Sequence, residues 1–332
     1  MAAAQTSNTA RMPRAAKQAA TLVRPNAVLM PEMAGPARTQ LQQTWDSYRA
    51  NKPALVGLCV LATMIVVCAL GPFVLQDPNA IDMKILSYSA PGGAHLLGTD
   101  AIGRDVLARL VIAGRTSLAI AFVVAAGGAM IGAVVGVTSG YFGGRVDSGL
   151  MWIANVIMSI PSMPLLMTVA TIVASPTSKI GPMIMHLPEW FRIAIVLVAL
   201  SWMGISRVVR SQVVSLRGQE FVEAAIALGG THRRVMFVHI LPNCVSVIAV
   251  FTTLSVAGAI MAESALSFLG MGVQPPTATW GNMLAEGRDL FTILQYWWVV
   301  WFPALAIFVT VLSVSFVGDG VRDALDPKTQ TK

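Results

Sequence analysis

The chain has 332 residues, of which 55% are hydrophobic and 12% charged, with a formal net charge of +7. That charged fraction is about half of what a water-soluble domain carries, which argues against a soluble enzyme and for a membrane setting. The basic excess calls for no nucleic acid, because attraction to anionic lipid at the inner leaflet accounts for it.

Residues 1–38 mix Ala, Pro, Arg, Thr and Asn without a sustained hydrophobic period, which predicts a mobile cytoplasmic tail. Over 39–53, Leu41, Trp45 and Tyr48 recur among Gln, Asp, Arg and Lys. This suits an amphipathic interfacial helix, with Trp and Tyr at headgroup depth, acting as an elbow before the membrane. Six apolar stretches follow within 54–318, at 54–75, 116–140, 149–174, 191–209, 243–270 and 296–318. Each meets the length of about 20 residues that a spanning helix needs. The predicted fold is an all-α polytopic membrane protein with six transmembrane helices. The first stretch reads as a retained anchor, since a long polar segment precedes it and no small-x-small cleavage site follows.

Most of the 23 Lys and Arg fall on segments that share a side with the amino terminus, including Arg207, Arg210, Arg217, Arg233 and Arg234. The positive-inside rule then places both termini, a short tail at 319–332, and the segment 210–242 in the cytoplasm. Cys59, Cys68 and Cys244 lie in the spans, so a disulfide framework is not expected.

In the second stretch, Gly128, Gly132, Gly136 and Gly140 stand four residues apart. Small residues at this spacing let helices approach closely in lipid, either within the chain or against a partner subunit. Ile160-Pro161-Ser162-Met163-Pro164 should interrupt the third stretch, as a structural kink or as the wall of a cavity. Glu263 lies twenty residues into the fifth stretch, about 30 Å along a helix, which predicts a hydrated carboxylate near the outer interface or at the mouth of a pathway. On the outward side, Asp100 or Asp105 is placed to favour a helix N-terminus. The segment 270–288, with Gln274-Pro275-Pro276 and Trp280-Gly281-Asn282, reads as likewise outward, rich in turn residues and able to meet a soluble partner.

The inward segment 210–242 carries the most specific pattern. Residues 220–228 hold strong helix formers with Phe221, Ala224, Ala225 and Leu228 on one face, and Gly229-Gly230 can supply a left-handed stop. Thr231 can then cap a second short helix, with Pro242 in the first turn of the next span. The expected product is a compact helix-turn-helix on the membrane surface, with small alanines where another backbone can come close.

From about Thr39 to Lys328 the chain resembles the C-type inner-membrane permease subunits of bacterial dipeptide and oligopeptide ATP-binding-cassette importers. Four blocks carry the resemblance: Leu97-Gly98-Thr99-Asp100 with Gly103-Arg104-Asp105; Glu223-Ala224-Ala225 through Gly229 to Leu241-Pro242; Leu266-Ser267-Phe268-Leu269-Gly270 with Gln274-Pro275-Pro276; and Gly318-Asp319-Gly320 with Arg322-Asp323-Ala324-Leu325-Asp326-Pro327. The resemblance implies a type I importer permease fold in the bacterial inner membrane. It also implies that Glu223, Ala224, Ala225, Gly229, Gly230, Leu241 and Pro242 dock into an ATPase, with Arg233 and Arg234 as further contacts. The implied partners are a second related permease, two ATPase subunits that hold ATP and Mg, and an extracytoplasmic peptide-binding protein. No cofactor is expected on this chain, and no catalytic activity: none of its six lysines follows a glycine, so it has no Gly-x-x-x-x-Gly-Lys-Ser/Thr phosphate loop. The competing readings are an ion-coupled secondary transporter and a peptide-gated channel.

Overall fold

The computed structural model describes residues 40–81, 87–178 and 181–325, so the predicted tail 1–38 lies outside it. Residues 1–43 and 44–332 separate as two units, and the architecture below is that of the second. No strand occurs among the described residues, only the isolated bridges Gly92–His95 and Thr99–Asp105.

Helix α1 (Gln40–Ala50) meets α2 (Lys52–Leu70) at Asn51, whose Oδ1 accepts from the Ala54 amide at 3.2 Å and so caps α2. Tyr48 was expected at headgroup depth. It is buried in protein instead, its hydroxyl donating to the Ala54 carbonyl at 3.2 Å, while Trp45 stays exposed. The elbow is therefore a packed joint.

Among the described residues, five helical runs are long and apolar enough to cross a membrane: Lys52–Phe73, Val106–Phe142 (α3), Glu189–Leu216 (α6), His232–Phe268 (α8) and Trp297–Leu325 (α11). The third predicted stretch, 149–174, is instead a pair, α4 (Gly144–Ser159) and α5 (Ser162–Ala174), bent by 98°. The break follows from Pro161, which drives Ile160 to an extended ψ of 134° and cannot continue the α4 ladder.

Two boundaries differ from expectation for stated reasons. Helix α3 starts well before 116, because Asp105 caps it through the Ala108 amide at 2.9 Å and so draws Arg109 and Arg115 into the helix. Helix α11 runs on to Leu325, through the first half of the expected tail at 319–332. There Gly320 packs against Ala54 and Tyr48, and Asp323 accepts from the Asn51 side chain at 3.0 Å, which ties the end of the helix to the elbow.

The glycine stripe of α3 packs on α6 of the same chain. A Cβ at Gly136 would lie 2.7 Å from the Ser206 carbonyl, at Gly140 2.9 Å from that of Arg210, at Gly132 2.8 Å from that of Trp202, and at Gly128 it would overlap the Ser201 hydroxyl. Backbone-to-backbone approach of this kind replaces the missing hydrophobic drive between helices in lipid. Among the described residues the apolar core falls into three clusters: a large one through the middle of the bundle, a smaller one at the 220–242 end around Val137, Tyr141, Val209, Val213, Val222 and Ile240, and a third at the elbow around Tyr48, Ala54 and Ala324.

Candidate coupling surface

Helix α7 (Glu220–Ala227) follows α6 after a short turn. Its end is a Schellman arrangement: the Gly229 amide donates to the Ile226 carbonyl at 2.9 Å and the Gly230 amide to the Ala225 carbonyl at 3.0 Å. Gly229 sits at φ 79°, in the left-handed region, and a Cβ there would meet nothing, so its backbone conformation alone sets the demand for glycine. Thr231 caps the next helix through the Arg234 amide at 3.4 Å.

That next helix is not a separate short one. Helix α8 runs from His232 to Phe268 without a stop, and Pro242 lies inside it. A π turn at Val235–Ile240 followed by a 3₁₀ turn at Leu241–Cys244 changes the hydrogen-bond register around the proline. The Asn243 side-chain amide donates to the His239 carbonyl at 2.7 Å, serving an acceptor in the disturbed ladder. The unit thus pairs one short helix with the beginning of a long one.

Residues of opposite exposure divide the work. Val222 and Val235 are fully buried in the smaller core, and the Tyr141 hydroxyl is 2.9 Å from Nδ1 of His232. Arg217 donates to the Tyr141 carbonyl at 3.2 Å, and Arg210 grips Asp147 at 2.5 Å through both Nε and Nη2, with Ser139 donating to the same carboxylate. His232 thus mounts the knob on α3, and the Arg210–Asp147–Ser139 group ties α6, α4 and α3 together beside it. Outward from it stand Phe221, Ile226 and Leu228, the last 89% exposed, with Glu223, Ala224, Gly229, Arg233, Arg234 and Pro242 also exposed. Ala225, Gly230 and Leu241 are half-buried. The face Phe221–Ala224–Leu228 seen in the sequence is therefore an apolar surface on the outside. Val222, which the sequence reading passed over, is the anchor; only its position off that face could have marked it.

The break between α4 and α5 lines a cavity of 600 Å³ with α6 and α8. Pro161, Leu165, Ser201, Gly204, Ser255 and Ala262 are among its walls, and no ionisable side chain lines it. Glu263 faces the other way. It is fully buried, so the expectation of a hydrated carboxylate or a pathway mouth fails. Helix rotation turns it toward α3, where it accepts from Ser117 at 3.3 Å and Ser267 at 2.7 Å, with the Thr279 hydroxyl as a further donor.

Ser117 in turn accepts from the Trp280 amide at 3.2 Å, which joins Glu263 to the turn-rich segment expected to be open to a soluble partner. That segment folds back as a plug. Helix α9 (Trp280–Glu286) opens with a capping box between Thr279 and Asn282, and Trp280 is 1% exposed with its indole donating to the Leu110 carbonyl at 3.0 Å. At its far end Glu286 accepts from Arg104 at 3.0 Å and Arg109 at 2.7 Å, while Asp100 accepts from Arg104 at 2.6 Å. Burial pushes the Glu286 carboxyl up, and Arg109 and Arg104 offset part of that rise. Asp100 and Arg104 were a visible i,i+4 pair, but Glu286 lies 182 residues from Arg104 and no local pattern links them.

Comparison with known proteins agrees with this architecture. Residues 39–91 match the N-terminal transmembrane domain of oligopeptide transport permease C, and residues 128–331 match the binding-protein-dependent transport system inner membrane component. The oligopeptide transport system permease protein OppC of Haemophilus influenzae is 36% identical over 303 residues, 90% of this chain and 91% of that protein. The dipeptide transport system permease protein DppC of Bacillus subtilis is 36% identical over 295 residues, 88% of this chain and 87% of that protein. The chain belongs to the binding-protein-dependent transport system inner membrane components, as a permease of the peptide ABC transporter group.

Proposed function

We propose that the chain forms half of the translocation path of an ATP-driven importer for di- or oligopeptides, delivered by an extracytoplasmic binding protein. In this reading α7 and Gly229 face the cytoplasm and dock into a cleft on a separate ATPase, which holds the ATP and Mg. A second related permease completes the path, and two ATPases drive the pair. The names of the relatives support peptide as cargo.

One observation carries the reading: an exposed apolar crown at Phe221, Ile226 and Leu228 sits on a rigidly mounted knob that is continuous with α8. A solvent-facing apolar patch beside buried anchors is what a partner surface requires. The 37 residues of α8 reach about 55 Å, so a displacement at the knob is delivered to Ser255 and Ala262 on the cavity wall. Closure of the ATPases on ATP then biases the bundle between inward and outward access.

The test is uptake of a labelled peptide into vesicles containing the co-purified complex. Uptake should require ATP hydrolysis and persist when ion gradients are collapsed. Gradient-driven uptake by the chain with no ATPase would overturn the proposal in favour of a secondary transporter.

A further inference from the structure

Between the plug and the last span lies α10 (Leu290–Gln295). Its cap is Asp289, which accepts from the Thr292 amide at 2.9 Å and the Thr292 hydroxyl at 2.6 Å. Thr292 is the helix's one buried residue, while Leu290, Phe291 and Leu294 are 71%, 65% and 71% exposed. The helix departs from a water-facing one: Thr292 is turned in and satisfied by the cap, while Leu290, Phe291 and Leu294 are turned out, with Gln295 exposed at its end.

Connectivity fixes the depth. Only Tyr296 separates α10 from Trp297, where the last span begins, so α10 stands at the level where that span enters the bilayer. It also lies on the side opposite the coupling knob, because α8 crosses between them. The exposed apolar surface continues down α11 through Trp297, Trp301, Leu305 and Phe308, at helical spacing along one face. The cavity lies elsewhere, for no residue of α10 or α11 lines it. A second permease that completes the cavity therefore meets a different face.

We propose that α10 is an interfacial foot that binds the lipid surface of the leaflet opposite the knob. Leu290, Phe291 and Leu294 enter the boundary between headgroups and acyl chains, and Trp297 and Trp301 sit at headgroup level, the depth that amphipathic helices and indole rings favour. Gly287-Arg288-Asp289 joins the foot to the plug, so the bilayer holds the outer end of the plug at a fixed depth.

A fluorescent thiol label reports the depth directly. Cys59→Ala removes the one exposed native thiol, since Cys68 and Cys244 are buried. The full chain carrying Leu294→Cys is labelled and reconstituted in phosphatidylcholine vesicles. Lipid bearing a nitroxide near its headgroup should quench this label at least about twofold more than iodide in the water does, and a label at Arg288→Cys should show the reverse order. Leu290→Cys repeats the measurement if the first variant fails to insert. Stronger quenching by iodide at the Leu positions would overturn the proposal in favour of a water-facing or soluble-partner surface. Protection from both quenchers would overturn it in favour of a face covered by another membrane subunit.

Discussion

The knob and the plug, at opposite ends of the bundle, are both turn-rich connections between spans, yet they are built in opposite ways. In the knob α7 buries only Val222 and leads to a Leu228 left almost wholly exposed, whereas the plug buries Trp280, Gly281, Asn282 and Met283 and sets Glu286 against two arginines. The knob's apolar surface is free to be covered by something else. The plug's is already covered by the chain itself. A connection that buries its own apolar residues among satisfied polar groups is part of the bundle's rigidity, and one that presents them outward is an interface.

The comparison breaks first, and most severely, at Arg109. Its side chain is 1% exposed, and Arg109→Ala leaves Glu286 and Asp100 short of a counter-charge in the protein interior. Removing one member of a buried ionic group costs about 3–5 kcal/mol, so the purified chain should unfold at a clearly lower temperature. At the knob the order of effects reverses. Gly229→Val forces a β-branched residue to φ 79° at a cost of about 1–2 kcal/mol, with nothing for the new side chain to strike. The chain should insert and unfold near its normal temperature, while ATP hydrolysis in the complex is uncoupled from uptake. Normal transport by this variant would remove the docking role from the turn.

These two sites also mark what the sequence could and could not reveal. The glycine stripe, the break at Pro161 and the stop at Gly229 were legible because each rests on a local rule: backbone approach, the missing amide, the left-handed residue. The plug was not, because Gln274-Pro275-Pro276 and Trp280-Gly281-Asn282 have turn composition whether or not the segment folds back. Only the distant partners Ser117, Leu110 and Arg109 settle the matter. Glu263 was placed by rise along the helix, but its environment depends on rotation, which apolar composition on every side conceals. Continuity of α8 through Pro242 was hidden for a similar reason, since proline signals a helix start unless a π turn precedes it.

A smaller effect sharpens the plug side of the comparison. Because burial raises the folded-state value of Glu286 above its ordinary 4.5, the folded plug binds its proton more tightly than the unfolded chain does. The stability this contributes is complete below 4.5 and is lost as pH rises through the raised folded value. Thermal unfolding followed across that window should slope downward with pH, and Glu286→Gln should flatten the slope; an unchanged slope would assign the dependence to another group.

The central claim is that the exposed crown of the knob is where an external motor takes hold. Leu228→Cys in a Cys59→Ala chain tests it most directly, with a membrane-impermeant thiol reagent applied from either side of the membrane. Labelling should occur only from the cytoplasmic side and be blocked when the ATPase subunits are bound. Labelling from the outer side, or equal labelling with and without the ATPases, would contradict the account.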